Sequence, residues 1–252
     1  MKNITLIGSG NVATHLGLSL VKKGFKIIQV WSRTRKNAEI LAKKLDSNAT
    51  ESINNLENTD LYILAVKDDF LKSIIKQLDK KTNIIHVSGS INIEIFNKNF
   101  KQYGVLYPLQ TFNKDINIDF SSTPICIEAN TNRFQNQLLD IGRKLSNTVV
   151  IMNSERRKKL HIAAVFACNF TTHMFSISDT ILHKENIDFQ LLLPLINQTV
   201  KKLNHHRPAE LQTGPAIRKD RKLIKEHINS IPDKETRELY KIISNSIMQK
   251  NK

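Results

Sequence analysis

The residues Ile4-Thr5-Leu6-Ile7-Gly8-Ser9-Gly10-Asn11-Val12-Ala13 constrain this chain more than any others. A short apolar strand runs into Gly-x-Gly-x-x-Ala, and an amphipathic stretch follows at once. That context turns a weak glycine pattern into a fingerprint for a dinucleotide-binding strand–turn–helix unit. Gly8 permits the tight turn, Gly10 lets a pyrophosphate approach the backbone, and Ala13 lets helix and strand pack closely. The helix start then offers free N–H groups and a positive dipole end to phosphates. Gly8, Ser9, Gly10, Asn11 and Val12 are therefore candidate cofactor residues.

The second strand, Lys26 to Trp31, ends in Ser32-Arg33-Thr34-Arg35-Lys36. A site for NAD usually places a carboxylate there to hold the ribose hydroxyls. A hydroxyl and a guanidinium suit a 2′-phosphate, which a carboxylate would repel. Ser32, Arg33 and Thr34 thus point to NADP.

The 252 residues suffice for an ordinary domain plus a smaller partner. No segment approaches the ~18 consecutive apolar residues of a membrane span. The N-terminal strand leaves no room for a secretory leader. Cys126 and Cys168 form no zinc or redox spacing, and both are expected as buried thiols. A reducing cytoplasm fits these features. The net charge of +15 comes from lysines scattered among Asn and Ile, not from a basic run interleaved with aromatics. Neither nucleic acid nor membrane is expected as a partner. His205, His206 and His227 lack supporting carboxylate or cysteine spacing, so no metal is expected.

Strands are expected at Ile4–Ile7, Ile27–Trp31, Leu61–Val66, Asn83–Val87, Gly104–Tyr107, Pro124–Glu128 and Thr148–Ile151. Amphipathic helices are expected at Val12–Lys23, Arg35–Leu45, Phe70–Leu78 and Arg133–Leu145. This alternation predicts an α/β domain over residues 1–153, with a doubly wound parallel sheet. Residues 154–252 read as all-helical: one long helix over Glu155–His183, then Phe189–Asn204, Ile217–Ser230 and Asp233–Gln249. Asp233 is a natural N-cap for the last of these.

Several segments carry a family resemblance: the Gly8 turn, Trp31-Ser32-Arg33-Thr34, Leu64-Ala65-Val66-Lys67-Asp68, His86-Val87-Ser88-Gly89-Ser90 and Tyr107-Pro108-Leu109-Gln110-Thr111-Phe112. In the second half they are Ala163 to His173 and Gln212 to Asp220. The first half resembles Rossmann domains of deazaflavin-dependent NADP oxidoreductases and pyrroline-5-carboxylate reductases. The whole chain resembles a family that joins such a domain to a helical C-terminal domain of unknown function. Two positions depart from the family pattern, which has Gly at Lys219 and His at Tyr107. The resemblance implies an NADP-linked reductase that forms a homodimer through its helical domain.

Ligands of doubly wound sheets lie beyond the carboxyl ends of the strands. Ala65 and Val66, and then Ser88 and Gly89, are such ends, the latter nearer the nicotinamide. In the long helix Asn169 and His173 stand four residues apart on one face, and an apolar setting would force both to find partners. His173 is the candidate proton donor and Asn169 an orienting amide. His161, twelve residues earlier on a straight helix, would mark the cleft entrance. Arg218 is a candidate clamp for a substrate carboxylate, with Asp220 orienting it or capping the helix. Two functions follow. One is NADPH-dependent reduction of a small carbonyl or imine carboxylate, either a ketopantoate-like 2-keto acid or a pyrroline-carboxylate-like imine. The other is a non-catalytic NADP-binding sensor or scaffold.

Overall fold

A computed structural model describes residues 1–96 and 100–250. The chain packs as two compact units, Met1–Phe170 and Thr171–Lys252. In the first, β1 (Asn3–Ile7), α1 (Asn11–Lys22), β2 (Lys26–Trp31), α2 (Arg35–Leu45) and β3 (Asn48–Thr50) form one half of the sheet. The other half is β4 (Leu61–Leu64), α3 (Asp68–Ile75), β5 (Ile84–His86), β6 (Tyr103–Pro108), β7 (Ile125–Ala129), α4 (Asn132–Leu145) and β8 (Val149–Ile151). The strand order is β3-β2-β1-β4-β5-β6-β7-β8. The order reverses between β1 and β4, which is where a doubly wound sheet opens a ligand crevice.

Period-two alternation explains why these strands read as continuous apolar runs. Ile4, Leu6, Leu61, Ile63, Ile125 and Ile127 belong to one buried cluster, completed by Leu16, Leu41 and Leu138 from α1, α2 and α4. Ile7, Tyr62, Leu64, Val105 and Cys126 belong to the other, completed by Leu71 and Ile74 from α3. A sheet covered on both faces has no polar side to show.

Two details depart from the sequence expectation. β7 runs antiparallel to β6, so the sheet is not wholly parallel. A strand's direction is set by its long-range neighbour, and nothing in the local alternation encodes it. β3 was not expected at all, being only three residues long.

After β8 comes one continuous helical run, Ser154–Lys184. It comprises α5 (Ser154–Ala164), a π-helical turn at Val165–Phe170 and α6 (Thr171–Lys184). The division of the chain into two units falls after Phe170, at the end of the π turn, whereas the change from mixed to helical structure falls at 153/154. By length and composition alone the run is apolar enough on average to cross a membrane, although it holds no stretch of 18 consecutive apolar residues. Its most apolar 18-residue window is unburied, and Asn169, Thr171, Thr172 and His173 break its apolar sequence. Cys126 is buried as expected, but Cys168 is exposed.

The second unit continues with α7 (Leu193–Lys202), α8 (Arg221–Ser230) and α9 (Lys234–Lys250). Asp233 caps α9 by accepting the Thr236 N–H at 2.7 Å. α8 begins at Arg221 and not Ile217, because Lys219 sits in the left-handed region at φ +56°. The lysine carries a cost of about 1–2 kcal/mol that Gly would avoid.

A buried ion pair anchors α5 to the sheet. The Arg157 side chain is fully buried and donates to the Glu128 carboxylate of β7. Ser154 donates to the same carboxylate at 2.7 Å and accepts the Ile93 N–H at 2.9 Å. Arg157 also donates to the Ile91 carbonyl at 2.5 Å. Replacing Glu128 with Ala would leave a buried guanidinium unpaired, and urea denaturation should show a loss of about 3–5 kcal/mol.

Candidate active site

The strand ends on either side of the sheet reversal enclose a cleft of about 460 Å³. Gly8, Ser9, Gly10, Ser32, Arg33, Ala65 and Val66 line it. Gly8 donates its N–H to the Trp31 carbonyl at 2.8 Å, at φ +126°. A Cβ there would lie 2.2 Å from the Ala65 carbonyl oxygen. Gly8 therefore serves the contact between the turn and β4 as well as the turn itself. Gly10 is different: a Cβ on it would meet nothing within 4 Å. It also occupies the N-cap of α1, where no side chain takes up the free N–H groups. The helix start is left open to an anion.

The remaining candidates divide by role. Asn11 donates its amide to the Phe112 carbonyl at 2.9 Å, which ties the turn to the β6–β7 connection. Val12 packs against the core. Ser9 donates its hydroxyl to that of Ser32 at 2.9 Å. The Arg33 guanidinium lies over the Phe70 ring, 4.8 Å from its centre, and is exposed. Thr34 holds the N-cap position of α2 without a side-chain capping bond. Sequence reading missed Glu51, which lines the cleft just beyond β3, because a three-residue strand leaves no periodic trace. Its carbonyl accepts the Trp31 indole N–H at 3.0 Å. The open helix start, the empty space at Gly10 and the Ser32–Arg33 pair suit a dinucleotide with a 2′-phosphate.

The next strand end is built differently. His86 closes β5, fully buried, with its ring stacked on Phe96. Its Nδ1 accepts the Ser88 N–H at 3.2 Å, so the turn rests on a neutral imidazole. Burial, and then the charge of Arg157, push its pKa from 6.5 down to about 3. The unfolded chain binds a proton at His86 that the folded chain refuses, so stability is full above pH 6.5. It falls by up to about 1.4 kcal/mol per pH unit as the pH drops towards 3. Urea titrations between pH 7 and 4 should show that slope, and a His86→Gln variant should lose it.

The Ser88 hydroxyl accepts the N–H groups of Ser90 and Ile91 at 3.1 and 3.2 Å, which shapes the turn. Gly89 lies against two side chains from distant parts of the chain. A Cβ on it would fall 2.7 Å from His161 Nδ1 and 2.8 Å from Tyr107 Cζ. The Tyr107 hydroxyl and His161 Nδ1 are 3.0 Å apart, with the rings edge to face. Burial raises the Tyr107 pKa to about 12. Sequence reading set His161 at the cleft entrance and did not pair it with Tyr107. The two residues are 54 positions apart, and only the docking of α5 brings them together.

The polar candidates of the helical region stand otherwise than expected. Asn169 falls in the π turn, and His173 lies in the first turn of α6. Both are exposed, so the premise that burial forces them to find partners fails. The apolar side of this run is itself open: Phe166 is 66% exposed and Phe170 48%. The π turn also removes the straight helix on which the separation of His161 and His173 was argued. Arg218 is exposed in the turn before α8. Asp220 caps that helix by accepting the Leu223 N–H at 3.1 Å. His227 Nδ1 lies 2.8 Å from the Tyr240 hydroxyl, an α8–α9 contact.

Fold and cleft together define a Rossmann-type dinucleotide-binding protein with a helical C-terminal part. Comparison with known proteins narrows the class. Residues 3–90 match the family described as NADP oxidoreductase, coenzyme F420-dependent, and residues 123–247 match a domain of unknown function. A solved structure from Bacteroides fragilis, designated an NADP oxidoreductase, is 39% identical over 98% of both chains, with a TM-score of 0.92. This chain belongs to that family of NADP-dependent oxidoreductases, in which the nucleotide-binding domain is joined to the domain of unknown function. The 1-pyrroline-5-carboxylate reductase of Streptococcus pyogenes shares the fold, with a TM-score of 0.67 and 14% identity over 99% of this chain and 97% of its own. A 48-residue stretch is 44% identical to glutamyl-tRNA reductase of Methanococcus aeolicus, covering 19% of this chain and only 12% of that protein.

Proposed function

We propose that this enzyme reduces a small carbonyl or imine compound bearing a carboxylate, with NADPH as the hydride source. The observation that carries the reading is the make-up of the first unit. A phosphate-suited cleft with Ser32 and Arg33 spans the sheet reversal, and a phenol–imidazole pair lies beyond it at the Ser88–Gly89 strand end. The cofactor carries the hydride chemistry, and the protein supplies placement, charge and a proton. Gly8, Ser9, Gly10, Ser32, Arg33, Ala65 and Val66 are proposed to hold the adenosine and pyrophosphate. Asn11, Val12 and Thr34 support that turn, while Ser88 and Gly89 lie along the nicotinamide.

Arg218 is proposed to clamp the substrate carboxylate, with Asn169 and His173 as further polar groups that orient the substrate. A 2-keto acid of the ketopantoate kind and a cyclic imine of the pyrroline-carboxylate kind both fit this chemistry. The enzyme is proposed to work in the cytoplasm as a homodimer formed through its helical region. Leu191, Leu195, Val200 and Ile242 are each more than half exposed there, as expected of a surface that a second copy covers. Light scattering on the purified protein gives the oligomeric state.

The test of function is NADPH oxidation, followed by loss of nicotinamide absorbance, over a panel of 2-keto acids, cyclic imines and β-keto acids, with NADH in parallel. Turnover on one class with NADPH preferred is the expected result. Tight NADPH binding with no turnover on any compound would replace the reductase reading with a sensor or scaffold.

A further inference from the structure

We infer that His161 is the group that hands a proton to the substrate and that Tyr107 positions it. The inference rests on the reductase reading above and names the acid that reading requires.

The geometry is built from the helix anchor outward. The Arg157–Glu128–Ser154 cluster fixes the first turns of α5 against β7 and the segment at Ile91–Ile93. His161 stands four residues after Arg157, one turn further along the same face. It is thereby delivered to the carboxyl end of β5, against the backbone of Gly89, where the nicotinamide half of a doubly wound site lies. The absence of a side chain at Gly89 is what admits the pair: a methyl group there would overlap both rings. Tyr107 is 8% exposed, whereas His161 keeps a partly open side.

The two groups have unequal tasks. Burial keeps the Tyr107 phenol neutral through the physiological range. Arg157 and Cys126 act on that phenol, and Arg157 also acts on His86 beneath the turn. A neutral phenol oxygen can accept the Nδ1–H of a protonated His161, which fixes the ring and leaves the Nε2–H free. Bound NADPH supplies the hydride. As hydride adds to the carbonyl or imine carbon, the π pair moves onto oxygen or nitrogen, and that atom takes the Nε2 proton. The substrate gains the two electrons that the cofactor loses. His161 is left neutral, its remaining proton on Nδ1 held by Tyr107, and it regains a proton from water on its open side.

The test uses the full-length protein with His161→Gln and Tyr107→Phe. NADPH affinity, read from the fluorescence of Trp31, should stay within about twofold in both. His161→Gln should lose about 100-fold or more in kcat, the usual range for a general acid. Tyr107→Phe should lose about 10-fold in kcat with KM within about twofold, because the imidazole stays in the site but loses the partner that aims its Nε2–H. A merely structural tyrosine would not cause that split between kcat and KM. A His161→Gln enzyme within threefold of wild-type kcat overturns the assignment of His161. A Tyr107→Phe enzyme with wild-type kcat overturns the role of Tyr107. Absence of wild-type turnover on every compound overturns the reductase reading itself, and this inference with it.

Discussion

Gly8→Ala and Gly10→Ala, two residues apart in one turn, should fail in opposite ways. The Gly8 variant should lose its fold. Its methyl group would lie 2.2 Å from the Ala65 carbonyl oxygen and 2.6 Å from the Ala65 carbonyl carbon, at φ +126°. The opposing atoms are backbone at the end of β4, and that strand is held in register by β1 and β5. They cannot swing aside as a side-chain tip would. Backbone strain alone costs about 1–3 kcal/mol, and moving a central strand costs more. A fall in Tm of about 10 °C or more, or no soluble protein, is expected. Gly10→Ala has room for its methyl and an ordinary φ of −80°, so its stability should stay within about 0.5 kcal/mol of wild type. Yet that methyl would stand where the pyrophosphate meets the N–H groups of α1. Charge-assisted hydrogen bonds contribute about 1.5–3 kcal/mol each, so NADPH affinity should fall by about 100-fold. Thermal melts and Trp31 fluorescence separate the two outcomes. A Gly10→Ala protein that binds NADPH like the wild type would remove the pyrophosphate from this turn.

Cofactor preference should invert when the end of β2 changes charge. Arg33→Ala should weaken NADPH by about 10- to 100-fold, the value of one charge-assisted contact to phosphate, and leave NADH nearly unchanged. Adding Ser32→Asp places a carboxylate where the 2′-phosphate would sit and offers the ribose hydroxyls a partner, so NADH should become the tighter ligand. The cleft is well suited to the measurement, because Trp31 lines it and is the only tryptophan in the chain. Glu51 lines the same cleft and already brings one carboxylate to this end. Glu51→Gln should therefore tighten NADPH. If the double variant still prefers NADPH, the 2′-phosphate is read elsewhere, and Arg33 over Phe70 is only a surface contact.

What the sequence determined by itself is local and periodic. The strand before Gly8, the helix after Gly10, the seven expected strands and the capping role of Asp233 all follow from neighbours a few residues apart. So does the Ser32–Arg33 end of β2, because motif, turn chemistry and cofactor charge are all written within one strand–turn–helix unit. Tertiary structure decided whatever depends on which distant segments meet. β7 turned antiparallel because it pairs with β6 and β8 across the sheet. Arg157, which reads as one of several surface cations in Arg156-Arg157-Lys158-Lys159, became a buried anchor because Glu128 lies opposite it. Asn169 and His173 proved exposed, since burial belongs to a packing arrangement and not to a hydropathy pattern. The pairing of Tyr107 with His161 at Gly89 belongs here as well. Its three parts come from a strand, a helix and a turn with no common periodicity, and the sequence held each of them but not their meeting.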